Sequence, residues 1–185
     1  MIFINMTSNN EKLRKISIRI ASIILIILIF IKNPNNIEDW VGVISSVVSI
    51  TAVPILIYER WIWKINPFSK TPHLKESYLG KIKYFHNNQT YEKYVDIEIK
   101  QTFTSVSVSL KSNEITSKSV VSDIIEEHGD YVLYYTYTTN PKSEFIKDNP
   151  IQLGTARLLI KKNHLEGSYW TNQRTIGDIE FTSKE

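Results

Sequence analysis

The chain has 185 residues, with 22 Lys and Arg against 19 Asp and Glu and no cysteine. A net charge of +3 is small for a general nucleic-acid binder, and from Lys64 onward 16 Lys and Arg face 15 Asp and Glu, so the C-terminal part has no basic stripe. The lack of cysteine excludes a disulfide-stapled scaffold and agrees with a reducing compartment.

Two apolar runs open the chain. Ile16 to Ile31 is interrupted only by Arg19, and Trp40 to Tyr58 carries no charge. Backbone polar groups in hydrocarbon must be satisfied within their own segment, so both runs are expected to be spanning helices. At ~1.5 Å per residue they cover roughly 24 and 28 Å against a bilayer core of about 30 Å. Arg19 and Lys32 would reach the interfaces by snorkelling, and Asn33 to Asn36 form the turn. No small-residue cleavage site follows the first run, which argues against a secretory signal. Lys12, Arg14 and Lys15 precede the hairpin and Arg60, Lys64 and Lys70 follow it, so both termini are expected in the cytoplasm, on a multi-pass membrane anchor. Gly42 and Ser46, then Ser45 and Ser49, followed by Ala52, let another helix approach closely, within the hairpin or between copies. The expected organisation is a tail and transmembrane hairpin over 1–63 (spans about 16–31 and 40–58), a linker over 64–76 and a soluble domain over 77–185.

That domain reads as eight strands. Val106, Val108 and Leu110 alternate with Ser105, Ser107 and Ser109, and Val95, Ile97 and Ile99 alternate with Asp96, Glu98 and Lys100. Further strands are expected over Tyr78 to Tyr84, Glu114 to Glu127, Tyr131 to Thr139, Gln152 to Lys161, Leu165 to Thr171 and Gly177 to Thr182. Short connections, apart from Asn140 to Pro150, favour a small eight-stranded antiparallel up-and-down β-barrel over a two-sheet sandwich. The fold class is thus a membrane-anchored all-β protein. Gln101, Ser117, Ser119, Tyr169 and Thr171 fall at or near inward registers, where an unpaired polar group costs ~1–3 kcal/mol. They predict a polar cavity, unless several sit at a wet barrel mouth. His73, His86, His128 and His164 are scattered, and neither a phosphate loop nor a serine-nucleophile signature is present, so no catalytic residue, metal ligand or cofactor is expected. Binding is favoured over catalysis. A membrane-anchored barrel carrying a lipid or other apolar ligand is the alternative.

The order of elements and the segments Gly80-Lys81-Ile82, Ile99-Lys100-Gln101-Thr102-Phe103, Ser117-Lys118-Ser119, Leu133 to Pro141, Gly154-Thr155-Ala156-Arg157-Leu158 and Leu165 to Gly177 together carry a family resemblance. The chain resembles the two-transmembrane β-barrel effectors of cyclic-oligonucleotide-based antiphage signalling (CBASS). The resemblance implies that a cGAS-like nucleotidyltransferase makes a cyclic dinucleotide, the barrel binds it, and the protein self-associates and disrupts the inner membrane in abortive infection. It implies no DNA or RNA partner. For such a ligand, Arg174 is the first candidate for phosphate, since guanidinium contacts phosphate oxygens in bidentate fashion. Thr175 and Thr171 offer hydroxyls. Tyr137, Tyr135 and Tyr169 offer stacking surfaces, Gln101 and Asn140 could read base edges, and Arg157 is a second basic candidate.

Overall fold

The computed structural model describes residues 8–86, 89–147 and 149–184. The chain divides into two compact units, one of residues 7–71 with Thr102–Thr104 and the other of residues 72–101 with 105–185. The division at Thr71 and Pro72 falls inside the expected linker.

In the first unit, α1 (Ser8–Lys32) and α2 (Ile37–Arg60) form a hairpin. Asn33 leaves α1 in the left-handed region (φ 41°) while its N–H still donates to Ile29 O at 2.9 Å, a helix stop that asparagine tolerates. Asn36 caps α2 by accepting from Asp39 N–H at 2.8 Å, and Glu38 and Asp39 place negative charge in the first turn, where the helix dipole favours it. Half-buried Ile20, Ile24, Leu28 and Val47 and buried Val43 and Thr51 recur at helical spacing, so each helix turns one stripe inward. Ile23, Ile26, Phe30, Val41, Ile44, Val48 and Leu56 remain exposed, an apolar outer surface too large for water. The hydroxyls of Ser46, Ser49 and Thr51 donate to the carbonyls four residues back, which suits them to lipid. Ser46 also accepts from Lys32 Nζ at 3.1 Å, so one of the small residues serves the contact within the hairpin.

Only α2 of these two helices is long and apolar enough to cross a membrane. The two-span expectation is thereby reduced to one span supported by length and composition. The physical reason is charge: Arg14, Lys15 and Arg19 occupy the first half of α1 and Lys32 ends it, leaving an uncharged stretch over 20–31. That stretch is ~18 Å long at ~1.5 Å per residue.

The second unit is a closed antiparallel barrel in simple meander order. Its strands are β1 (Ser77–His86), β2 (Gln89–Gln101), β3 (Val106–Lys111), β4 (Ile115–Glu127), β5 (Asp130–Pro141), β6 (Leu153–Lys161), β7 (His164–Thr171) and β8 (Ile176–Ser183). β8 closes on β1 through Leu79 with Thr182 to Tyr84 with Gly177, so no edge strand is left to aggregate. The first hairpin runs further than expected. Glu92 to Tyr94 lie in β2, registered with Lys83 to Lys81 of β1, and Glu92 pairs with Lys81 at 2.6 Å across the ladder; Asn87 and Asn88 lie outside the described residues.

Alternation sorts the side chains. Ile97, Ile99, Leu133, Leu158, Leu165 and Phe181 are all 1% exposed or less and fill the interior toward the end that carries the β2–β3, β4–β5 and β6–β7 connections. Each such side chain contributes roughly 1.5–3 kcal/mol by leaving water. Toward the other end the interior changes to tyrosine, threonine and serine.

Candidate functional site

The phenol-rich end is built from β4, β5, β7 and the turn after β7. Tyr135, Tyr137 and Tyr169 are 3%, 9% and 8% exposed and face inward. Tyr135 and Tyr137 lie with ring centroids 5.6 Å apart at 42°. Two glycines make space for the rings. A Cβ on Gly154, registered opposite Tyr137, would stand 2.5 Å from the Tyr137 Cζ and hydroxyl oxygen. One on Gly177, opposite Tyr169, would stand 2.5 Å from Tyr169 Cε1 and 2.4 Å from the backbone oxygen of Lys83. Each ring therefore lies flat across a neighbouring strand at the one position without a side chain.

None of the three hydroxyls has a hydrogen-bond partner among the described residues, and none is among the buried polar atoms left without one, so the rings are buried while the hydroxyl oxygens stay open to water or a ligand. Burial pushes all three upward, with Tyr137 affected further by neighbouring Tyr169; Tyr169 is pushed up to about 12 by burial, then by nearby Tyr84. The phenols are neutral donors at any physiological pH. The folded state resists their ionisation while the unfolded chain ionises near the ordinary value of 10.0. The barrel should therefore hold constant stability up to that value and lose it as the pH rises from there through about 12. Absorbance of tyrosinate followed with circular dichroism checks this: a group of tyrosines should ionise only as the fold is lost, and their ionisation in an intact barrel would contradict the placement.

Arg174 sits on the β7–β8 turn at the same end of the barrel, exposed, with φ 60°. The left-handed region is costly for a non-glycine residue. Bonds from Arg174 N–H to Thr171 O (3.0 Å), Thr171 N–H to Thr175 O (3.0 Å) and Thr175 N–H to Thr171 Oγ1 (3.3 Å) hold it there. Its guanidinium makes no ion pair among the described residues, so it is available to an anion. Thr171 and Thr175 thus shape the turn as well as lining it.

Three predicted site residues are not brought to this cluster. Arg157 points outward, where Nη2 pairs with Glu127 Oε2 at 2.6 Å and Nε donates to the Tyr134 hydroxyl at 2.9 Å. Glu127 also accepts from the Tyr134 hydroxyl at 2.7 Å, and that bond first and the Arg157 bond second hold its carboxyl below its usual range. Alternation decides it, since the flanking Ala156 and Leu158 are fully buried. Gln101 lies at the opposite end of β2, with both amide functions spent on the chain: Oε1 accepts from Leu74 N–H and Nε2 donates to Pro72 O, each at 2.9 Å. Asn140 is exposed on the outer face, and its neighbour Thr139 is the inward residue, at 7% exposure.

Ser117 and Ser119, expected at inward registers, do face inward, with Ser117 opposite Thr139 and Ser119 opposite Tyr137; Thr139 is the inward polar residue that was missed. The serines' inward register was legible in the alternation of β4, but a register shift between Ser119 and Val121 hid which later residues follow them. A cleft of 680 Å³ reaches both serines and lies across the β3–β4 seam, with Ile97, Val108 and Leu110 also in its lining.

The closed meander barrel thus carries, among the described residues, phenol hydroxyls without a partner and, at its rim, an Arg174 guanidinium without an ion pair, groups that suit a small anionic ligand. Residues 69–183 match the family described as Cap15, cyclic dinucleotide receptor domain. CD-NTase-associated protein 15 of Staphylococcus schleiferi is 46% identical over 145 residues, 77% of this chain and 79% of that protein. The chain belongs to the Cap15 cyclic dinucleotide receptor family, within the CBASS effectors that its motifs resemble.

Proposed function

We propose that this protein is a membrane-anchored sensor that binds a cyclic dinucleotide at the phenol-lined end of its barrel and, once loaded, self-associates and disrupts the inner membrane. The observation that carries the ligand assignment is the trio of buried rings of Tyr135, Tyr137 and Tyr169, whose hydroxyls have no partner among the described residues and stay open to a ligand, at the same end as Arg174, which has no ion pair among those residues. A doubly charged phosphodiester ring with two aromatic bases supplies what that set lacks: acceptors for neutral O–H donors, anionic oxygens for a guanidinium, and flat faces for tyrosine rings. An apolar carrier would leave the three phenols unsatisfied. The messenger comes from a partner nucleotidyltransferase of the cGAS-like class, and the protein itself acts by binding, without catalysis.

Self-association follows from linkage: a ligand that binds the assembled state better than the monomer shifts the population toward assembly by its differential affinity. In the membrane, α2 spans, and α1 crosses beside it with Arg19 and Lys32 at the interfaces, leaving both termini in the cytoplasm. Clustered helices with one short member thin the bilayer around them.

The test is thermal shift of the full chain in detergent with cyclic di-AMP, cyclic di-GMP, cyclic di-UMP and cyclic GMP–AMP, because a ligand of the folded state raises its melting temperature by mass action. At least one should raise it in a concentration-dependent way, and Arg174→Ala should abolish that rise with the unliganded melting temperature unchanged. A full shift retained by Arg174→Ala would remove Arg174 from the site, and no shift with any of the four would remove these ligands.

A further inference from the structure

The barrel wall has one weak seam. β3 and β4 share three registered pairs, Ser109 with Lys118, Leu110 with Ser117 and Lys111 with Thr116, whereas every other seam holds six or more. Beyond Ser109, two side chains take over from the backbone ladder. Val108 N–H donates to Ser119 Oγ at 3.0 Å, and Ser122 Oγ donates to Val106 O. The β4 bulge lies at this point and leaves Val120 and Val121 68% and 61% exposed on the outer wall. Serine hydroxyls here bridge a gap that backbone groups bridge elsewhere, and they can rotate away without disturbing either strand's own backbone.

The 680 Å³ cleft lies over this seam, within the roughly 300–1,000 Å³ typical of small-molecule sites. Its lining has an inner part, with Ser117 and Ser119, and an outer part carrying Lys100, Lys111, Lys118 and Lys184 against Asp96 and Glu98. Lys184 is held by Asp96 at 2.6 Å, but Lys100, Lys111 and Lys118 have no ion pair among the described residues. Lys100 registers with Ser107 and Lys118 with Ser109, so two lysines flank the outer face of β3. Ser119, in the inner lining, is the cross-strand partner of Tyr137.

We propose that this cleft, through Lys100 and Lys111, captures the phosphates of a cyclic dinucleotide on the outer wall and that the β3–β4 seam is the doorway through which the ring reaches Tyr137. The lysines act as a funnel, concentrating anionic ligand within a Debye length of the wall, ~8 Å at physiological salt. Ser119 and Ser122 act as the latch. The inference rests on the receptor reading above, and kinetics separate the two.

Because the chain has no cysteine, Ser109→Cys with Lys118→Cys introduces a single pair at the last registered position before the gap. The full-length variant in nanodiscs is compared with itself, oxidised and reduced, using whichever of the four cyclic dinucleotides gives the largest thermal shift. Oxidation should slow association at least tenfold with the equilibrium constant nearly unchanged, and reductant should restore it. Equal association rates in the two forms would overturn the doorway while leaving the receptor intact. Loss of binding in both forms and in the unaltered protein would instead overturn the receptor, and the doorway with it. Ser122→Ala, which removes half of the latch and introduces no new bond, covers the case in which the cysteine pair fails to fold. It should raise association and dissociation rates together severalfold, and unchanged rates would count against the latch.

Discussion

Replacing Tyr137 and Tyr169 together with phenylalanine should remove about a thousandfold of cyclic dinucleotide affinity and leave the melting temperature equal or higher. The opposite signs come from one fact, that the hydroxyls have no partner within the described residues. Each hydroxyl makes no bond within the described residues, so phenylalanine, which keeps the ring, removes nothing the fold uses and leaves a more apolar interior. A hydroxyl bonded to a charged phosphate contributes ~1.5–3 kcal/mol, so losing two costs roughly 3–6 kcal/mol if they act independently. Calorimetric titration gives the affinity, and a thermal melt without ligand gives the stability. Stability and affinity falling in step would mean that the phenols hold the barrel together, and the site would have to lie elsewhere.

The two glycines under the rings should separate folding from binding. In Gly177→Ala the new Cβ meets the backbone oxygen of Lys83 at 2.4 Å, in the strand pair that closes β8 on β1. Backbone cannot step aside without opening that ladder, so overpacking should cost about 1–3 kcal/mol. At about 4–8 °C per kcal/mol for a domain near this size, the melting temperature falls by several degrees or more. In Gly154→Ala the close atoms belong to the Tyr137 ring alone, at 2.5 Å. The ring has to tilt away, which should cost little stability and most of the affinity. A melt and a titration on each variant check the pair. If Gly154→Ala binds as the unaltered protein does, the Tyr137 ring is not part of the site.

Much of this architecture was legible in the residues, for reasons that are local. Period-two alternation in Val95 to Ile99 and Val106 to Leu110 sets strand faces directly, and short polar connections leave a meander little choice but to close. Tyr135, Tyr137 and Tyr169 are grouped in the sequence only as stacking surfaces for the ligand the resemblance implies, alternation placing Tyr169 inward; the structure buries all three. Arg157 shows where the same rule outranks chemistry: its guanidinium suits phosphate, but its position between Ala156 and Leu158 turns it outward to Glu127. Asn140 fails by one residue for the same reason, Thr139 holding the inward place.

By itself, the sequence determined the order of helices and strands, the closed meander and the inward places of Ser117, Ser119 and Tyr169, since spacing along a chain dictates which side chains share a face. It also suggested two membrane spans where the charges on α1 leave one that meets length and composition. Tertiary structure alone decided what depends on registration between strands. The gap between β3 and β4 follows from a register shift near Ser119 that no composition reveals. The flat seats of Tyr137 and Tyr169 depend on Gly154 and Gly177 arriving opposite them from distant strands. The capture of Gln101 by the Pro72 and Leu74 backbone depends on where the linker enters the barrel, a contact across nearly thirty residues of chain. Side-chain direction is a local property, but whether a hydroxyl or an amide is left without a partner is settled only by what the folded chain brings beside it.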